Sequence, residues 1–188
     1  MAEAKVLIEG YTSADSVASG GQEKTCPTIS LVRDGDIVMV IDPGILESQE
    51  VLISALKKEG IDPSEVNIVF LTHSHIDHYR NIGMFPGAKT LEYFGLWDKN
   101  TVQDRVEQFT EDIRIVDTPG HDNTSITLFV KTKEGVVAIC GDVFWSENSP
   151  EVDPYASNAD KLKESRKMVL DMADWVIPGH GPMFKVKK

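Results

Sequence analysis

Cysteine is scarce in this chain: Cys26 and Cys140 are its only two, far apart and in no CxxC pair. That excludes a disulfide framework and fits a reducing compartment. Long apolar runs are absent as well. No stretch approaches the roughly 18 apolar residues of a membrane span. The start, Met1-Ala2-Glu3-Ala4-Lys5, has no basic segment leading into an apolar one, so no signal peptide is expected. A cytoplasmic location is the resulting expectation. Positive charge is in deficit: 19 Lys and Arg against 30 Asp and Glu give a formal net charge of −11. A broad, sequence-independent grip on nucleic acid depends on Lys and Arg at phosphates and is disfavoured. Metal ions can reverse the field inside a cleft, so a phosphodiester substrate stays compatible with the global charge.

Histidine is rare too, and its placement is informative. Of five His, three fall in Thr72-His73-Ser74-His75-Ile76-Asp77-His78, and the other two, His121 and His180, each close a Pro-Gly-His tripeptide. The cluster follows Val66-Asn67-Ile68-Val69-Phe70-Leu71, a β-branched apolar run that reads as a buried strand. Four potential ligands therefore stand on the loop past a strand's carboxyl end, where open α/β sheets place their sites. Imidazole nitrogens with a carboxylate suit zinc. Five unrelated surface histidines would explain neither the clustering nor the repeated setting.

The remaining chain, 188 residues with 41% hydrophobic and 26% charged, is expected to form one domain that buries a core without staples. An edge strand from Lys5 to Glu9 leads into residues 10–25, an aperiodic Gly-, Ser- and Thr-rich loop that is either a surface excursion or part of a substrate rim. Strands at 28–32 and 37–41 flank an Asp-Gly hairpin turn, and the second ends in Asp42-Pro43-Gly44. Residues 48–58 read as a helix with Ser48 as N-cap, Gly60 past its end, and Val51, Leu52, Ala55 and Leu56 on one face. A short helix is expected from Tyr79, and Arg80 is expected in a structural ion pair. Strands at 89–93 and 113–116 bracket a weakly defined region in which Trp97 either lines a pocket or fills core. A second hairpin, 124–131 with 135–140, ends in Gly141-Asp142. Residues 145–158 read as a loop. The helix at 159–172 has Leu162, Met168, Val169 and Met172 on its core face, and a strand at 175–177 carries Pro178-Gly179-His180. Hairpin, Asp42, helix, strand, His73 is thus echoed by hairpin, Asp142, helix, strand, His180, which would bring both sets of ligands to one edge.

H-x-H-x-D-H after a strand, a later Gly-His, a later Gly-Asp and a final Pro-Gly-His resemble the metallo-β-lactamase superfamily, over motifs from Asp42 to His180. Residues 81–88 and 165–182 are similar to its compact single-domain subgroup. The resemblance implies an α/β fold, an αββα sandwich of two similar β-rich halves with a metal site along one edge. It implies that His73, His75 and His121 hold one zinc, that Asp77, His78 and His180 hold a second, and that Asp142 bridges both together with a water. Iron or manganese are the alternative metals. Asp42 would orient the ligand loop, as such carboxylates fix a histidine's tautomer; an Asp capping the turn before Pro43 is the other reading.

Two zincs would deprotonate the bridging water near neutral pH and polarise the attacked group, with Asp77 and Asp142 as the catalytic carboxylates. Ser and Cys nucleophiles are then unnecessary, and Cys140 reads as a small buried core residue. True metallo-β-lactamases usually carry Cys or Ser where this chain has Asp142, so a β-lactam is not the expected native substrate. The resemblance favours phosphodiesters, as small diesters or short single-stranded RNA. Thioesters or lactones are the alternative, and a mono-iron persulfide dioxygenase a more distant one. Tyr79, Phe144 and Trp145 are the expected substrate rim, with residues 10–25 and 145–158 around them. The partner is thus a small molecule or short single-stranded nucleic acid, with no membrane. A homodimer is compatible with the sequence.

Overall fold

The computed structural model describes residues 1–14 and 22–188. Its first strand, β1 (Glu3–Ile8), pairs antiparallel with β4 (Ile29–Asp34). Between them, β2 (Tyr11–Thr12) and β3 (Thr25–Cys26) form a separate two-stranded ribbon. The ends of the expected loop are therefore pinned to each other, while residues 15–21 lie outside the described residues. From β4 a two-residue turn leads into β5 (Ile37–Ile41), with Asp34 opposite Ile37.

The helix α1 (Gln49–Lys58) starts where the N-cap reading places it, with Ser48 Oγ accepting from Glu50 N–H. Lys57 and Lys58 close its last turn, favourable to the helix dipole. β6 (Ile68–Phe70) then runs parallel to β5, and β7 (Lys89–Glu92) parallel to β6. The one-turn helix α2 (Ile76–Tyr79) begins three residues before the expected position, so Asp77 and His78 are helical. In the weakly defined region lie two unforeseen strands, β8 (Gly95–Asp98) and β9 (Thr101–Gln103). They are short and largely exposed, so no alternation of apolar residues marks them. Trp97 there neither lines the metal cleft nor fills core: it is 39% exposed and donates to Glu92 Oε1 at 2.6 Å.

The second half repeats the plan. β10 (Ile113–Asp117), β11 (Ile126–Thr132) and β12 (Gly135–Ile139) pair antiparallel in sequence. After α3 (Ala159–Met172), β13 (Trp175–Ile177) adds parallel to β12, and the two-residue β14 (Phe184–Lys185) closes the edge. Among the described residues the strand orders are β1-β4-β5-β6-β7-β8-β9 and β10-β11-β12-β13-β14.

Strand alternation sorts the apolar residues into layers. Met39, Ile41 and Phe70 of the first sheet pack on Leu128, Val130, Ile139 and Ile177 of the second. The intervening Val40 and Val69 face outward onto Leu52 and Leu56 of α1. Phe129, Ala138 and Val176 face outward onto Leu162 and Val169 of α3. The result is the expected αββα sandwich. Three expected features are corrected. Val51 is 46% exposed and Met168 36% exposed, because each helix meets its sheet along a narrower stripe than the sequence pattern suggests. Arg80 is exposed and makes no ion pair among the described residues, since the nearby carboxylates turn toward the histidines.

The stripe assignment has a direct stability consequence. Leu52→Ala should cost about 2–5 kcal/mol in denaturant unfolding, as a fully buried Leu does, whereas Val51→Ser should stay within about 0.5 kcal/mol. Equal losses would contradict the packing of α1.

Candidate metal centre

Parallel pairing sets the position of the site. β5, β6, β12 and β13 end at one rim of the sandwich, and β10, running the same way as β12, delivers its loop there too. Past those ends come Asp42, the loop from Thr72 to His78, Asp142, His180 and His121. The hairpin-helix-strand echo read from the sequence thus becomes one shared edge.

There the seven expected ligand residues converge in two groups. His73, His75, His121 and Asp142 form one, and Asp77, His78 and His180 the other, each with its ligand-type atoms within 4.8 Å of one another. Asp142 lies between them. Its Oδ2 faces His121 Nε2 at 3.3 Å and His73 Nε2 at 3.9 Å, while its Oδ1 faces His180 Nε2 at 3.2 Å and His78 Nε2 at 3.3 Å. Asp77 Oδ2 stands 3.6 Å from His180 Nε2 and 3.9 Å from His78 Nε2. His75 presents Nδ1 to His121 Nε2 at 3.0 Å.

This donor set fits metal ions on an independent observation. His73 Nε2, His78 Nε2 and Asp142 Oδ1 are buried with no hydrogen-bond partner among the described residues. Buried polar atoms are normally satisfied, and leaving one unpaired costs about 1–3 kcal/mol. Cations between the two groups would satisfy all three.

The protein groups alone polarise the cluster. Burial, reinforced by His78, holds His73 well below the usual imidazole range, and burial with His121 beside it lowers His75. Both therefore favour the neutral form that ligates metal. His78 and His180 go the other way: burial opposes their charge, but Asp142 outweighs it for both, helped by Asp42 at His78. Asp142, although buried, is held well below the usual carboxylate range by His180 and His78.

Local geometry explains the small residues in the motifs. Gly141 has φ +50°, and a Cβ there would stand 2.3 Å from Thr72 Oγ1; a Cβ on Gly179 would stand 1.9 Å from Asp142 Oδ1. Asp42, a non-glycine residue at φ 48°, is held there by its bonds: it accepts from Thr72 N–H at 2.8 Å and Thr72 Oγ1 at 2.7 Å, and meets His78 Nδ1 at 2.9 Å. These bonds tie Asp42 to the ligand loop and to His78, the geometry expected of an orienting carboxylate.

The rim differs from expectation in two of three residues. Trp145 lines the metal cleft, a space of ≈ 340 Å³. Phe144 does not; it is buried in the outer core under Arg166 and against Phe184. Successive residues of an extended chain point opposite ways, and here only Trp145 points to the site. Tyr79 borders a separate cavity of ≈ 180 Å³ with Tyr93 and Glu92, behind the ligand loop. The two expected rim loops do reach the cleft, through Glu23 and Thr25 of one and Tyr155 of the other, and Ile45 and Ile76 join them. Thr25 Oγ1 donates to Asp77 Oδ2 at 3.0 Å, Cys26 O lies 3.0 Å from His180 Nδ1, and Asp153 Oδ2 lies 2.6 Å from His121 Nδ1. No local spacing in the sequence points to these residues; only chain reversal brings them in. Both cysteines are free and buried, and burial pushes the Cys140 thiol up to about 12, as befits a core residue rather than a nucleophile.

Comparison with known proteins agrees with this geometry. A family model described as the metallo-beta-lactamase superfamily matches residues 27–99. Metallo-beta-lactamase domain-containing protein 1 of Xenopus laevis is 31% identical over 193 residues, covering 97% of this chain and 81% of that protein. The Homo sapiens protein of the same name is 33% identical over 163 residues, covering 79% of this chain and 59% of its own length. A crystal structure of a Thermotoga maritima protein, provisionally assigned as a metallo-beta-lactamase, has TM-score 0.76 at 23% identity, covering 98% of this chain and 99% of that one. An N-acyl homoserine lactone hydrolase, solved with its product at the catalytic metal centre, has TM-score 0.70 at 14% identity, covering 95% and 92%. These two likenesses are of fold. The relative matched along nearly the whole chain carries the assignment further: this protein belongs to the metallo-beta-lactamase superfamily and is a metal-dependent hydrolase.

Proposed function

We propose that the protein is a two-zinc hydrolase of a small, neutral carboxylic ester, a lactone or thioester. The observation that carries the substrate reading is the lining of the metal cleft. Beyond the ligand residues it presents Ile45, Ile76, Trp145 and Tyr155, with Glu23 as its further charge and no Lys or Arg among the described residues. Residues 10–25 and 145–158 contain one cation between them, Lys24. A long polyanion along this rim would meet repulsion and little attraction.

In this reading His73, His75, His121 and Asp142 Oδ2 would hold one ion, and Asp77, His78, His180 and Asp142 Oδ1 the other. Bound zinc supplies a water acidified toward neutral pH and a Lewis acid for the electrophile. The side chains do the rest. Asp142, its oxygens shared between the groups, fixes their separation. Asp77, steadied by Thr25, is the carboxylate at the cleft placed to receive the proton released from water and pass it to the leaving group. Trp145, stacked edge-on at 6.4 Å from His121, walls the site from solvent.

A second reading keeps the phosphodiester expected from the sequence. The two faces of Asp142 put two cation sites side by side, suited to the two free oxygens of a small diester. A panel of lactone, thioester, phosphodiester and β-lactam substrates decides. We expect a lactone or thioester to reach kcat/KM of at least ~10⁴ M⁻¹s⁻¹, little β-lactam turnover, and none of these activities in Asp142→Ala. Comparable rates on small phosphodiesters alone would install the second reading.

Elemental analysis should give about two zinc ions per chain; one iron per chain with oxygen uptake on persulfides would replace the hydrolase mechanism by a dioxygenase. The sign of the pH effect follows from the site. Asp142 holds the His78 and His180 pKa values above the usual imidazole range, so both carry protons that metal must displace. Occupancy should begin to fall already above the ordinary histidine range and go on falling through it as pH drops. Occupancy unchanged down to about pH 4 would contradict these ligands.

Asp42→Asn keeps the shape but removes the charge facing His78 Nδ1. It should leave metal largely in place and lower activity roughly ten- to a hundredfold. An unchanged rate in a folded variant would reduce Asp42 to a structural cap.

A further inference from the structure

We propose that Asp153 is a positioning residue for His121, holding one metal group in the way Asp42 holds the other; the inference rests on the two-ion reading. Asp153 lies in the irregular segment 145–158, among Glu147 and Glu151, where a carboxylate would ordinarily be solvated. Instead its side chain is fully enclosed, 0% exposed. Burying a carboxylate is unfavourable unless it is paired and hydrogen-bonded. Its two oxygens are both engaged: Oδ2 at 2.6 Å from His121 Nδ1, and Oδ1 accepting from Tyr155 N–H at 2.8 Å.

The consequence for His121 is specific. A carboxylate at Nδ1 makes that nitrogen the N–H donor and leaves the lone pair on Nε2. Nε2 is the atom that faces Asp142 Oδ2 and His75 Nδ1. The same segment also grips the backbone around the ring, since Ser157 N–H donates to His121 O and Asn158 N–H to Gly120 O, both at 2.9 Å. Asp42 does the corresponding work on His78, leaving its Nε2 toward Asp142 Oδ1. Each metal group therefore has one histidine whose ring is fixed by a buried aspartate. The two differ in support: Asp42 stands at a strand end, whereas Asp153 belongs to the loop that carries Tyr155 across the cleft to Glu23 Oε2 at 2.8 Å.

The test is zinc titration into chelator-stripped wild type, Asp153→Ala and Asp153→Asn, with each ion's affinity read by competition against a chromophoric chelator. Cobalt substitution reports the ligand field of the same groups. Asp153→Ala is expected to weaken one ion about ten- to a hundredfold, to leave the other unchanged and to shift the cobalt bands. Asp153→Asn keeps an oxygen for the His121 N–H and should recover most of that loss. Equal weakening of both ions, no weakening, or an Asn variant no better than Ala would overturn the role and leave a loop-folding residue. Should Asp153→Ala not fold, Asp153→Asn decides: a smaller loss confined to one ion supports the role, and unchanged or uniformly lowered affinities overturn it. A wild type that binds no zinc overturns the two-ion reading itself, an outcome distinct from two ions bound equally well with and without Asp153.

Discussion

A single buried carboxylate organises this molecule's functional edge. Asp142 turns one oxygen to His121 and the other to His78 and His180, so it belongs to both ligand groups at once. Such a group is costly to bury unless cations meet it. The fold answers that cost by closing both halves of the sandwich on one rim, where imidazoles from three separate loops reach the two oxygens. The protein's own histidines already hold the carboxylate ionised.

Several less obvious features follow from that placement. Gly141 and Gly179 are needed because the chain passes too close to Thr72 and to Asp142 itself for any side chain. The left-handed Asp42 stores local strain, repaid by three hydrogen bonds that tie the strand end to the ligand loop. Within this tied geometry the buried Nε2 atoms of His73 and His78 have no hydrogen-bond partner among the described residues.

The electrostatic character of the cleft is local. A chain with net charge −11 places its rim acids and apolar side chains beside the ligand cluster, and no Lys or Arg among the described lining residues. Beside the ligand cluster, Ile45, Ile76 and Trp145 line the cleft with apolar surface. The Tyr155–Glu23 hydrogen bond joins the two rim segments across the opening, so the lining is shared between parts of the chain that are far apart in sequence.

The sequence alone marked the His and Asp residues at strand ends, because their clustering and repeated setting are local signals, and its resemblance to the superfamily implied how they group and the αββα sandwich that carries them. Ser48 as a cap and Leu52 and Leu56 as a core stripe were legible for the same reason. Tertiary structure decided the rest. β8 and β9 carry no apolar alternation, so pairing with β7 and not sequence pattern makes them strands. Phe144 and Trp145 are neighbours in sequence, yet one is core and one is cleft, because extended backbone sends adjacent side chains to opposite sides. Asp153 sits in a loop with no motif, and its meeting with His121 depends on how that loop folds back over the end of β10. Contacts between residues distant in the chain have no local signature; only the packed fold brings them within hydrogen-bond reach.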